Sequence, residues 1–143
     1  MLVERNKQNL QRLYDELFNA GNMAVAHELI APEAIDHEEA LPGISGTVPE
    51  QVQQVAALFR SAFPDLRVGV DDMIGEGDKV AARVTMSGTH QGEFLGIPAS
   101  GRRIDVQVID ILRFGEDGMM VEHWAVTDNL GMLQQLGAMP VPG

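Results

Sequence analysis

The second half of the chain is dominated by a strict alternation of apolar and polar positions, clearest in R-I-D-V-Q-V-I-D-I-L-R-F at 103–114. Side chains of a strand point to opposite faces in turn, so Ile104, Val106, Val108, Asp110, Leu112 and Phe114 share one side. Asp110 therefore interrupts an otherwise aliphatic face. A carboxylate buried without a partner is costly enough that a chain pairs it, neutralises it or uses it. The same period predicts further strands near 66–74, 78–90 and 119–127. Glycine-containing turns at 75–78 and 115–118 and a longer loop at 91–102 would join them.

Before Pro64 the period is helical. Leu10, Leu13, Tyr14, Leu17 and Phe18 follow three-and-four spacing, with Gly21 as a left-handed stop. A short helix starting at Asn22 would turn Val25, Ala26, Leu29 and Ile30 inward and end before Pro32. Thr47-Val-Pro-Glu50 has the form of a capping box, and Val48, Val52, Val55, Phe59 and Phe63 mark the stripe of the helix that it opens. A last helix is expected at 129–136, capped by Asp128 and closed by Gly137, with a fraying tail at 138–143. Helices first and antiparallel strands afterwards predict an α+β fold: helices packed on a curved, mostly antiparallel sheet, shaped as a cup around a pocket.

If the turn at 115–118 pairs Phe114 with Met119, then Asp110 lies opposite His123, and Val108 opposite Ala125. Met120, Glu122 and Trp124 would occupy the other face with Ile109, Ile111 and Arg113. An acid and an imidazole facing each other on an apolar wall suit general acid/base chemistry, and equally suit a structural hydrogen bond. Asp36-His37 could add an acid and an imidazole at the rim or belong to a solvated loop. His90 shares the parity of Val80, Ala82, Val84 and Met86 and is a further candidate for contacting substrate, whereas His27 reads as structural or exposed.

Composition narrows the chemistry. Zero cysteines remove disulfides, thiolate nucleophiles and cysteine-bound metals. A formal charge of −11 argues against nucleic acid or an anionic membrane as partner, leaving a small hydrophobic molecule. The 143 residues suit one domain, 1–143. Neither a secretory leader nor a membrane span is apparent, so a cytoplasmic protein is expected. The histidines and carboxylates lack metal-site spacing, and no nucleophile elbow, phosphate loop or dinucleotide fingerprint occurs. The apolar Ile109, Ile111, Met120 and Trp124 on the outer face predict a homodimer or higher homo-oligomer.

The stretches G-T-H-Q-G-E-F-L-G-I-P-A-S-G-R-R (88–103), D-I-L-R-F (110–114) and E-H-W-A-V-T-D-N-L-G-M-L-Q-Q-L-G (122–137) resemble the SnoaL-like polyketide cyclases, or ester cyclases. The likeness covers most of the chain, including Pro64-Asp65-Leu66. It implies the cone-shaped α+β barrel of the nuclear transport factor superfamily and a ring closure by intramolecular aldol condensation, without metal or cofactor. It places Asp36, Asp110 and His123 in the cavity. One departure stands out: where those cyclases carry a catalytic aspartate, two positions after the histidine of E-H-W, this chain has Ala125, and at the position of Asp110 they carry a histidine.

These readings converge on a cofactor-independent acid/base enzyme of the cyclase or isomerase kind. Asp110 would move the proton, His123 would orient it or share the proton, and Asp36, His37 and His90 would bind substrate. A non-catalytic binder of an apolar metabolite, a hydrolase or dehydratase, and a structural module with a filled cavity are the alternatives, since one scaffold hosts many chemistries.

Overall fold

The structure, a computed structural model, describes residues 2–140, so residues 141–143 of the expected fraying tail lie outside it. α1 (Leu2–Arg12) runs into a π-helical segment (Leu13–Asn19), and α2 (Ala24–Leu29) passes directly into β1 (Ile30–Asp36). α3 (Val48–Ala62) precedes β2 (Arg67–Glu76), β3 (Lys79–Thr89), β4 (Arg103–Phe114) and β5 (Met120–Thr127), and α4 (Asn129–Gln135) follows. The strands form one sheet in the order β1-β5-β4-β3-β2. All neighbours are antiparallel except β1 and β5. The expected α+β cone is thus the observed one. No helix among the described residues is long and apolar enough to cross a membrane.

The core lies between the helices and the inner face of the sheet. Leu10, Leu17, Val25, Phe63, Ile104 and Val106 are fully buried in it. Each such side chain stabilises the fold by about 1.5–3 kcal/mol relative to exposure. The capping box forms: the Glu50 amide donates to Thr47 Oγ1 (3.4 Å) while the Glu50 carboxylate accepts from the Thr47 amide (3.3 Å). α3 ends because Phe63, which precedes a proline, leaves the helical region at φ −127°, ψ 84°.

Three expectations need correction. The first helix begins at Leu2 and widens after Arg12, where Ala20 N–H reaches Asp15 O (3.0 Å), five residues back. The apolar stripe still faces inward, because the wider turn keeps Leu13, Tyr14 and Leu17 on the core side. Second, Ile30 does not end a helix but opens a strand that the pattern concealed. Pro32 and the short run I-A-P-E-A-I-D obscure the alternation, and a sheet edge tolerates a proline because one side of the strand needs no donors.

The third concerns register. Asp110 pairs with Ala125, Ile111 with Trp124 and Leu112 with His123, two residues away from the expected pairing. Two single-residue displacements add up. The turn closes one residue later, with Gly115 N–H donating to Met119 O (2.9 Å), and a bulge then inserts Val121 between the Phe114–Met120 and Arg113–Glu122 pairs. One slip would turn every side chain of β5 to the other face; two restore the parity. His123 therefore stays on the inner face with Asp110, as its diagonal neighbour. Met120, expected outside, turns inward and is 2% exposed.

Candidate active site

The open end of the cone encloses a cavity of about 720 Å³, walled largely by apolar side chains such as Leu13, Val55, Phe59, Val84, Met86 and Met132. That size suits a drug-sized ligand, which needs ~300–1,000 Å³. Four of the polar side chains on its wall form one connected line. Tyr14 Oη–H donates to Asp110 Oδ2 (2.6 Å), and Asp110 Oδ1 meets His123 Nε2 (2.8 Å). His123 Nδ1 meets Asp36 Oδ1 (3.0 Å), which also accepts from the Glu38 amide (2.9 Å). Each member comes from a different part of the fold: the π-helical segment, β4, β5 and the last residue of β1.

Side-chain exposures of 16% for His123, 14% for Asp110 and 18% for Asp36 leave all three screened yet reachable from the cavity. With a carboxylate at each ring nitrogen, both nitrogens act as donors and His123 is an imidazolium. Burial opposes that charge, but the hydrogen bonds to Asp110 and Asp36 and their negative charges outweigh it and push the imidazole up to about 10. Burial first, then the charge and hydrogen bond of Asp110, raises Tyr14 as well, so it remains a phenol donor. At the mouth, partial burial raises Glu38, with Asp110 and Asp36 adding to the shift and His123 opposing it.

The sequence pointed to Asp110, His123 and Asp36, and these three side chains meet. The other two expected substrate contacts do not join them. His37 follows Asp36 on a strand, so its side chain emerges on the outer face, where Nε2–H donates to Glu122 (2.7 Å) and the ring stacks on Trp124 at 5.0 Å. His90 is wholly buried outside the cavity wall. Its Nδ1 accepts from the Ser100 amide (3.1 Å), its ring packs against Phe63 (5.5 Å), and Nε2 has no hydrogen-bond partner among the described residues. Beyond β3 the chain is drawn to the end of α3 by the amides of Gln91 and Gly92, both bonded to Ala62 O (3.0 Å), which carries His90 away from the mouth. His27 is exposed on α2.

Tyr14 was hidden among the apolar positions of its stripe. The available signal was its hydroxyl, which a core position obliges to find a partner. Glu38 carried no pattern at all. Among the described residues, no three His, Asp or Glu side chains are placed to hold a metal ion. Among the described residues no lysine or arginine lines the cavity, while Asp36, Glu38, Glu39 and Asp110 do. An apolar chamber whose charge is concentrated in a carboxylate–imidazolium–carboxylate line can hold a neutral ligand and move a proton on it.

The chain is 29% identical over 138 residues to the aklanonic acid methyl ester cyclase DauD of Streptomyces sp. (strain C5), covering 90% of this chain and 80% of that protein. It is 29% identical over 121 residues to the nogalonic acid methyl ester cyclase of Streptomyces nogalater, covering 84% and 89%. Among solved structures, TsrD from Streptomyces laurentii superposes with a TM-score of 0.83 at 33% identity, covering 95% of this chain and 97% of that one. IdmH, a putative polyketide cyclase from Streptomyces antibioticus, gives 0.78 at 35% identity over 92% and 98%. Residues 8–136 match the sequence pattern of the SnoaL-like polyketide cyclases, and the chain belongs to that family.

Proposed function

We propose that this protein closes a ring in a polyketide ester by intramolecular aldol addition. The observation that carries this reading is the hydrogen-bonded line Tyr14, Asp110, His123, Asp36 along one wall of a largely apolar cavity. Asp110 removes a proton from a carbon next to a carbonyl, and the C–H electron pair becomes the enolate. The enolate carbon adds to a second carbonyl carbon of the same molecule, forming the ring C–C bond and turning that C=O into an alkoxide. The alkoxide takes back the proton, so product and substrate are isomers. The His123 imidazolium, held beside Asp110, adds a fixed positive charge whose field favours the negative oxygen as it develops. Tyr14 and Asp36 hold the two ends of this pair. The absence of lysine and arginine from the wall favours an uncharged ligand, in keeping with the methyl esters named in two relatives.

The test is incubation with aklanonic acid methyl ester and nogalonic acid methyl ester, followed by chromatography with mass detection. A new compound of unchanged mass and altered absorption is expected. Both esters bound but recovered unaltered would instead support a binding protein, a reading that Ala125 favours because a methyl group transfers no proton. For the outer face we infer a second copy of the chain as partner, since Ile109 and Ile111 are exposed there on β4 and Ile35 is exposed on β1.

A further inference from the structure

His37 stands directly behind the reacting groups. β1 is an edge strand with β5 as its sole neighbour, and beyond Ile30 its pairing consists of Ile35 with Glu122 and Asp36 with His123, after an irregularity. The next rung is closed by His37 N–H donating to His123 O (2.9 Å). Asp36 thus lies at the end of a thinly paired edge, just before the chain leaves the sheet. What reinforces that end is on the other face. The His37 ring stacks on Trp124 at 5.0 Å and 10°, close to the ~4.8 Å spacing of neighbouring strands, so the two rings extend the ladder by one side-chain rung. His37 Nε2–H donates to Glu122 (2.7 Å), whose other oxygen accepts from Arg113 Nε (2.9 Å) on β4. Lys79, at the start of β3, sits 5.4 Å from the Trp124 ring centre. This outer cluster ties β1 to β5, β4 and β3 at the level of His123.

We propose that His37 is a positioning residue: by fastening the last rung of β1 from outside, it holds the Asp36 carboxylate against His123 inside. Alternation supplies the linkage, since Asp36 and His37 are consecutive and any shift of one along or away from β5 moves the other. The inference rests on the proposed function only for its effect on turnover; its structural content does not.

The test reads His123 directly by NMR, following the imidazole carbon resonances with pH and assigning His123 by its absence from His123→Gln. The groups facing that ring are Asp110, Asp36 and Glu38, with Tyr14 behind Asp110, so loss of Asp36 alone leaves the others in place. An opposite charge at this distance shifts a titration by about one to three units. His37→Ala is expected to lower the His123 midpoint by about one unit, to add nothing further in an Asp36→Asn background, and to shift the alkaline limb of the activity profile with it. Should His37→Ala fail to fold, His37→Phe, which keeps the stack and removes the bond to Glu122, carries the test with the same sign. A His123 midpoint unmoved by His37 substitution, whatever the change in melting temperature, overturns the proposal, as do additive effects of His37→Ala and Asp36→Asn. The titration needs no substrate, so a protein inactive on every ester still decides it.

Discussion

Asp110 and Ala125 face each other across the β4–β5 ladder, both on the cavity wall. The position where the resembling cyclases carry aspartate thus lies directly opposite the one where this chain carries it. A carboxylate moved across one rung, with Cβ atoms ~5 Å apart, still projects into the same part of the chamber. Asp110→Asn is expected to lower turnover about 10²–10⁴-fold with the fold intact. Ala125→Asp in that background should recover part of the loss. Steady-state kinetics with circular dichroism checks both; near-normal turnover of Asp110→Asn would remove Asp110 from the mechanism.

His123 makes stability fall on the alkaline side. Its folded-state value of about 10 lies above the ordinary 6.5, so its contribution is complete below pH 6.5 and is lost as pH climbs to about 10. The slope within that window is at most about 1.4 kcal/mol per pH unit. Tyr14, also raised, costs stability only above the ordinary tyrosine value near 10 and leaves the window alone. Urea unfolding at intervals from neutral pH to pH 10 should show the decline in the native protein and a much flatter profile in His123→Gln.

The fold was largely legible because its strongest signals are local. The alternation of β4, the capping box at Thr47 and the period change at Pro64 each needed a few neighbouring residues, and each reappears as read. The candidate site was legible through strand parity for Asp110 and His123, and through the family resemblance for Asp36 as well. Asp110 and His123 were placed on one face by a register that was itself two residues off, and the agreement survives because the turn and the Val121 bulge shift the ladder twice. What failed depended on distant partners. β1 is a strand because β5 is there to pair with it, and that decided on which side His37 would emerge. Tyr14 joins the candidate site only because β4 brings Asp110 within reach of its hydroxyl, a meeting across 96 positions that no local pattern encodes.

Tyr14→Phe removes one hydroxyl and nothing else from the packed stripe. A hydrogen bond to a charged group contributes about 1.5–3 kcal/mol, so misplacing Asp110 to that extent lowers kcat by roughly 10- to 100-fold. KM should change little, because the aromatic ring remains in the wall. A rise in KM with unchanged kcat would recast Tyr14 as a substrate contact.

The outer face supplies an independent check on assembly. Ile109 is 50% exposed on β4 and touches none of the polar line inside the cone. Ile109→Glu is expected to convert a dimer to a monomer in sedimentation velocity while the far-ultraviolet spectrum stays the same. A native protein that sediments as a monomer at high concentration would rule out the second copy.

The charge of the cavity predicts what it rejects. Among the described residues, Asp36, Glu38, Glu39 and Asp110 line it against one cation, His123, which is already engaged at both nitrogens. A substrate bearing a free carboxylate would bring a further negative charge among them, and like-charge contacts of this kind cost several kcal/mol. The ester of a given polyketide acid should therefore exceed the free acid by at least about 100-fold in kcat/KM, which corresponds to roughly 2.7 kcal/mol. Gln51, also on the wall, offers the converse experiment: Gln51→Arg places a cation there and should narrow the preference by improving the free acid. Equal turnover of acid and ester by the native protein would mean that the carboxyl end of the substrate stays outside the cavity, with only the ring-forming segment within reach of Asp110.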